Sequence, residues 1–217
     1  MHDADNRRYK IVLTHKLLGV IFDLDNTLVS SSLNFDNIRE ALGCSKNIDL
    51  LNFVDSLPKQ QRIDAHQVLV DYEIDDAHSA SKLAGTDELL ALLSKLSIPC
   101  AIVTRNCKQA ALIKLNNNNI DVPILLTRED HKAKPAPDAL LHLAQYWNTP
   151  PENLLYVGDY LYDLQAAQNA NTMSCLITYA KALSYADLAD LADIVVDDLT
   201  ELSDAIAQIF PVQEMNI

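Results

Sequence analysis

Two aspartates, Asp23 and Asp25, stand one residue apart at the end of an apolar run, "GVIFDLDNTLV", with Thr27 following at the same spacing. A strand alternates its side chains, so both carboxylates share one side if the extended conformation persists that far. Two acids in that position repel each other and need a cation, a proton or backbone donors as compensation. A strand exit decorated with Asp caps and turns accounts for the pair alone equally well. Three other places bear on the choice. "CAIVT" ends on the hydroxyl of Thr104, and "LLYVG" runs into Asp159 with Asp163 four residues on. That spacing puts both acids on one side of a first helical turn, although Asp is also a favoured cap. Lys134 lies in "KAKPAPD", where prolines stiffen the chain ahead of a helix; a lone Lys there is ordinarily a solvated charge. Taken together, acids with oxygen-only chemistry suit a hard cation such as Mg²⁺. A Lys and a Thr beside that cation suit phosphoryl oxygens.

These residues need a scaffold that gathers them on one rim. The short apolar runs "GVIFDL", "CAIVT", "ILL", "LLYVG" and "SCLIT", with a weaker "DIVV", are rich in Val and Ile and fit strands buried on both faces of a parallel sheet. Helical patterns lie between them at 86–96, 106–115 (after an Asn106 cap), 136–147 and 161–170. The alternation predicts an α/β, doubly wound, Rossmann-like parallel sheet, with chemistry beyond the carboxyl ends of the strands. One interval, about 30–84, shows no strand and two helical stretches. It is too long for a loop and reads as a small helical insert after the first strand, re-entering the sheet at Gly85. The expected division is a core of 1–30 and 85–217 and an insert of 31–84. "NAN" at 169–171 supplies Asn for a left-handed helix end, the Thr27 hydroxyl is expected to support its turn, and the tail "PVQEMNI" is expected to be loose.

The bulk properties narrow the function class. A net charge of -13 over 217 residues disfavours nucleic acid and anionic membrane surfaces. A small anionic substrate stays compatible with it, because a divalent cation reverses the sign locally. The four cysteines show no zinc spacing and read as free thiols. "MHDADNRRYK" lacks the apolar stretch of a signal peptide, and no run is long enough to span a membrane. A cytoplasmic protein is the default expectation.

"FDLDNTLV", "IVTRN", "KPAPD" and "VGDYLYDL" resemble, in order and at strand ends, the four motifs of the haloacid dehalogenase superfamily. The resemblance covers nearly the whole chain. The insert looks like the C1-type cap of that family's phosphatases, and the motif combination is most similar to the phosphoglycolate-phosphatase-like branch. The resemblance implies an Mg²⁺-dependent phosphomonoester hydrolase acting on a small phosphate ester, 2-phosphoglycolate among the candidates. It implies Asp23 as nucleophile and Asp25 as the acid and base. It implies Mg²⁺ on the Asp23 carboxylate, the Asp25 backbone carbonyl and Asp159, with Asp163 directly or through water. Thr104 and Lys134 would meet the phosphoryl group. Arg105 stands where a small polar residue is common, as either a structural ion pair or a substrate contact. Tyr160 replaces a frequent Ser or Thr. A phosphomutase of the same superfamily, a dehalogenase, or a regulatory module that binds phosphate and metal without turnover are the alternatives. Asp25 and the insert speak against the last two. In the insert, Arg39, Lys59, Arg62, His66, His78 and Lys82 are each candidate leaving-group contacts or plain solvated charges.

Overall fold

The computed structural model describes residues 17–179 and 186–210; the expectations for the amino-terminal segment and the tail fall outside them. Six strands form one sheet in the order β3-β2-β1-β4-β5-β6. They are β1 (Gly19–Phe22), β2 (Cys100–Val103), β3 (Leu125–Leu126), β4 (Leu154–Gly158), β5 (Met173–Ile177) and β6 (Ile194–Val196), and every pairing is parallel. The expected α/β, doubly wound architecture is therefore observed. Continuous Val, Ile and Leu runs make these strands because both faces are covered. Val20 and Phe22 pack to one side with α4 (Thr86–Lys95), α5 (Lys108–Asn117) and α9 (Leu199–Ile209). Ile21 packs to the other with α6 (Asp138–Tyr146) and α7 (Leu161–Ala170). A short α8 (Ala186–Ala189) lies before β6.

The chain order reverses between β1 and β4, the neighbours at the centre of the sheet. At such a switch point the two following connections part to opposite faces and leave a crevice at the carboxyl ends. Asp23 follows β1 and Asp159 follows β4, so both acids open on that crevice.

The insert after the first strand is built on three helices: α1 (Phe35–Leu42), α2 (Leu50–Ser56) and α3 (Lys59–Ser79). It has a small core of its own, built on Ile38, Leu50, Val54, Ala65 and Leu69. Its outgoing and returning linkers run side by side. Ser30 N donates to the Ser81 carbonyl at 2.8 Å and Ser81 N donates back to Ser30 Oγ at 2.9 Å. Gly85 then enters α4 with φ 83°, the left-handed region open to glycine. The second half of α3 leans on the sheet domain, where Ala77 packs with Cys107 and Ala110 and is flanked by Val70, Ile74 and Ile113.

Two local expectations are corrected. The cap of α5 is Cys107, whose Sγ accepts from Ala110 N at 3.4 Å, so Asn106 lies outside the helix and is released for another use. Thr27 is fully buried, and its hydroxyl has no partner among the described residues. The turn is supported instead through its carbonyl, which accepts from Tyr179 Oη at 2.8 Å. Asn171 does take the left-handed conformation at the end of α7, with φ 58°.

Candidate active site

The loop after β1 is tight because the main chain reverses at Asn26, φ 53°. Leu28 N and Val29 N both donate to the Leu24 carbonyl, at 2.9 and 3.1 Å. Asp23 remains tied to the sheet, its N–H donating to the Val157 carbonyl at 2.8 Å. Beside it, β4 ends in Gly158 and Asp159, and α7 brings up Asp163. Lys134 reaches in from the loop before α6, 3 % exposed, with Nζ 2.7 Å from Asp23 Oδ1 and 2.7 Å from Asp163 Oδ1. Thr104 closes the group at the end of β2. It is buried, and its hydroxyl accepts from Asn106 N at 3.2 Å.

Asp23, Asp159 and Asp163 each present a carboxylate oxygen, and the three lie within 4.8 Å of one another. Lys134 pairs with two of these carboxylates, Asp23 and Asp163. Burial, opposed by Lys134 and reinforced by Asp163 and Asp25, pushes the Asp23 carboxyl up to about 7. Burial also pulls on Lys134, but Asp163 and Asp23 outweigh it and hold the ammonium above its ordinary value. An all-oxygen donor set of three clustered carboxylates fits a hard divalent cation. Asp163 has two further donors besides Lys134. Its Oδ1 also accepts from Tyr156 Oη at 3.1 Å, and its Oδ2 accepts from Tyr160 N at 3.0 Å.

The Asp25 carboxylate belongs to a separate set of partners. Its Oδ1 is 2.5 Å from Lys114 Nζ, and its Oδ2 accepts from Asn106 Nδ2 at 2.9 Å. Burial raises this carboxyl above the usual range against the pull of Lys114. The two acids of the opening motif are thus held by different cations, Lys134 for one and Lys114 for the other.

Asp23, Asp25, Thr104, Asn106, Lys134, Asp159 and Asp163 line a cavity of about 530 Å³ between the sheet and the insert, with Lys114 and Tyr156 behind its walls. Leu33, Phe35, Ile38, Leu50, Leu51 and Leu69 form much of its far wall. Arg105 lines it too, but its guanidinium is already engaged. It donates to the Lys134 carbonyl, pairs with Asp49 at 2.6 Å and lies 4.4 Å over the Tyr162 ring. It joins the sheet domain to the insert, because Asp49 caps α2. Of the basic insert residues singled out above, Arg39 lines this cavity, while Lys59, Arg62, His66, His78 and Lys82 are not among its walls.

A family model described as haloacid dehalogenase-like hydrolase matches residues 20–177. The chain belongs to that family. This hydrolase is 29 % identical over 198 residues to an uncharacterized hydrolase of Saccharomyces cerevisiae, covering 87 % of the chain and 90 % of the yeast protein. It is 29 % identical over 174 residues to a haloacid dehalogenase-like hydrolase domain-containing protein of Arabidopsis thaliana, covering 75 % and 71 %. Among solved structures, a hydrolase from Pseudomonas syringae superposes with a TM-score of 0.75 at 22 % identity, over 88 % of this chain and 99 % of that one. No helix among the described residues is long and apolar enough to cross a membrane.

The residues that the motifs single out in the hydrolase, Asp23, Asp25, Thr104, Lys134, Asp159 and Asp163, are brought to one cavity. Sequence reasoning missed Lys114, Asp76, Asn106, Glu73 and Arg128. Lys114 was open to detection. It falls on the same side of α5 as Ala110, Ala111 and Leu115, all buried, where a lysine is out of place unless it has acidic partners. Glu73 gave no such signal. It is 7 % exposed, accepts from Arg128 Nη1 at 2.5 Å and from Cys107 N at 2.9 Å, and so fastens α3 to the sheet domain.

Proposed function

We propose that this hydrolase is an Mg²⁺-dependent phosphomonoesterase that works through an aspartyl-phosphate on Asp23. The observation that carries the reading is the separation of the two acids of "DLD": Asp23 faces Lys134 and two further carboxylates, and Asp25 faces Lys114 and Asn106. One acid sits in an anion-binding, cation-binding environment. The other is set apart for proton transfer.

The steps follow from these positions. An Asp23 oxygen attacks phosphorus as the bond to the leaving oxygen breaks, and Asp25 delivers its proton to that oxygen. Water then attacks the phosphorus of the acyl phosphate and gives a proton to Asp25. The bond to Asp23 breaks and phosphate leaves. Lys134 keeps Asp23 in line and neutralises charge on the phosphoryl oxygens, and Thr104 donates to one of them. The carboxylates of Asp23 and Asp159 and the Asp25 carbonyl would hold Mg²⁺, with Asp163, already met by three donors, contributing through water. The ion supplies the charge that lets one anion approach another. The raised Asp25 carboxyl suits a group that must carry a proton in one half of the cycle and accept one in the other.

The insert, residues 31–84, is read as a C1-type cap over a core of 1–30 and 85–217, and the motif order as that of the phosphoglycolate-phosphatase-like branch. The cavity refines the substrate class. Its basic wall residues have partners: Arg105 as above, Lys46 with Asp36 at 3.1 Å, and Arg39 with the carbonyls of Ser45 and Ile48 at 2.9 and 2.6 Å. The apolar wall favours an ester whose alcohol is larger than glycolate, and the Arg39 guanidinium, which meets only neutral acceptors, is the one wall cation of the insert left to face a charged substituent. Hydrolysis of p-nitrophenyl phosphate, followed by a panel of metabolite phosphates that includes 2-phosphoglycolate, tests the reading. Turnover should stop with EDTA and fall by on the order of 10⁴ or more in Asp23→Asn. Wild-type turnover in that variant removes Asp23 from its role.

A further inference from the structure

Lys114 is a lysine with no exposed surface. It lies in the middle of α5, and its ammonium meets two carboxylates: Asp25 at 2.5 Å and Asp76 of α3 at 2.7 Å. Asp76, 6 % exposed, accepts in addition from Ser31 Oγ at 2.9 Å, from Ser32 N at 2.6 Å and from Ser32 Oγ at 2.9 Å. Ser31 and Ser32 are the linker that leaves the core for the insert. Ser31 N also donates to Asn26 Oδ1 at 3.2 Å, within the Asp25 loop. One ammonium therefore joins four pieces of structure: the loop that carries Asp25, the outgoing linker, the long helix of the insert and a helix of the sheet domain. Packing alone does not call for this, because apolar groups of similar volume fill such a space at lower cost.

We propose that Lys114 is a positioning residue for Asp25, that it acts together with Asp76, and that the pair makes the placement of the Asp25 carboxyl depend on how the insert is seated. The proposal rests on Asp25 being the proton donor of the reading above. Lys114 and Asn106 each hold one Asp25 oxygen, which fixes the plane of the carboxyl toward the cavity. Asp76 holds Lys114 in turn, and it is itself held by the linker. A shift of the insert that breaks the Ser32 contacts loosens Asp76, then Lys114, and lets the Asp25 carboxyl rotate out of line.

The test uses two aryl esters that differ in their need for a proton. 2,4-Dinitrophenolate leaves without one, whereas phenolate leaves far faster with one. The ratio of kcat/KM for phenyl phosphate to that for 2,4-dinitrophenyl phosphate reads the step up to phosphoryl transfer and excludes the later hydrolysis of the acyl phosphate. Lys114→Met should lower this ratio at least about tenfold, within the range that general acids contribute. Lys114→Arg should restore part of it, and Asp76→Asn should lower it in the same direction by less. A purely structural role would depress both esters equally and leave the ratio at its wild-type value, which would overturn the proposal. If Lys114→Met does not fold, as judged by circular dichroism and thermal melting, Asp76→Asn and the Lys114→Gln/Asp76→Asn double variant read the same ratio, and an unchanged ratio there overturns it equally. A wild-type protein that hydrolyses neither ester would instead refute the phosphomonoesterase reading itself.

Discussion

At the scale of single residues, Gly158 shows how closely this site is built. A Cβ there would lie 2.5 Å from Asp163 Oδ2 and 2.5 Å from Asp163 Cβ. Asp163 has no easy retreat, being fixed by Lys134, Tyr156 and Tyr160 N. Gly158→Ala should therefore displace Asp163 from the acidic cluster. Overpacking of this kind costs about 1–3 kcal/mol, and the melting temperature should fall by about 2–4 °C for each of those. Activity should fall more steeply than stability, measured as turnover at a temperature where the variant is fully folded; equal activity would mean that Asp163 is dispensable. Asp23, Asp25, Asp159, Thr104 and Lys134 were legible in the sequence because each stands at a strand end or beside a proline, and Asp163 because it falls four residues after Asp159 at the start of a helical pattern. Asn106 was not, because its competing use as a helix cap is the commoner one for its residue type, and only the structure shows Cys107 taking that place. Asp76 was hidden for another reason. It sits in a helix whose polar residues look uniformly solvated until the partner helix, some forty residues on, is placed against it.

At the scale of elements, the parallel sheet and the helical insert followed from alternating apolar runs and helical patterns, and β4 and α7 begin and end where the sequence puts them. α2 and α9 were not anticipated. The first is only seven residues long and depends on its Asp49 cap and on the insert's own small core, a tertiary effect. What sequence could not show is how the insert is fastened to the sheet domain, and the Arg105–Asp49 pair allows one fastening to be isolated. Asp49 caps α2 through Oδ1 and pairs with Arg105 through Oδ2. Asn is as good a cap as Asp, so Asp49→Asn removes the charge pair and keeps the cap. Burial raises the Asp49 carboxyl, but Arg105 and the Asn52 N–H outweigh it and hold it below its ordinary value of 3.8. A carboxyl lowered in the folded state stabilises when ionised. Its contribution is complete above 3.8 and is lost as pH falls through the lower, folded value. Asp49→Asn should thus be less stable than wild type at neutral pH, by about 1 kcal/mol for a partly exposed pair. The two proteins should converge in acid, read from thermal or urea melts across that range. A constant difference at every pH would locate the effect in packing instead.

At the scale of the whole molecule, the acidic cluster is a junction between elements as well as a site. Asp23 follows β1, Asp159 follows β4 and Asp163 lies in α7, and Lys134 ties two of them to the loop before α6. Without a cation, this junction concentrates like charge at the centre of a protein that already carries a net charge of -13. A divalent ion bound there joins the central strands at their carboxyl ends and relieves that repulsion, and the unfolded chain offers no comparable site. Binding to the folded state alone adds about 2.7 kcal/mol at a concentration 100 times Kd. For a chain of this size that corresponds to roughly 5–10 °C in melting temperature. Mg²⁺ added to EDTA-stripped protein should therefore raise the melting temperature in a saturable way, independently of any substrate. Asp159→Asn should lose most of that rise, because Asp159 belongs to the acid cluster and the proposed reaction gives it no proton to move. Asp25→Asn, whose side chain is held by Lys114 and Asn106 outside the three-acid cluster, should keep most of it. Were Asp25→Asn to lose the response and Asp159→Asn to retain it, the division between a metal-holding group of acids and a separate proton-moving acid would fail. The distinct partners of the two acids in "DLD" would then need another explanation.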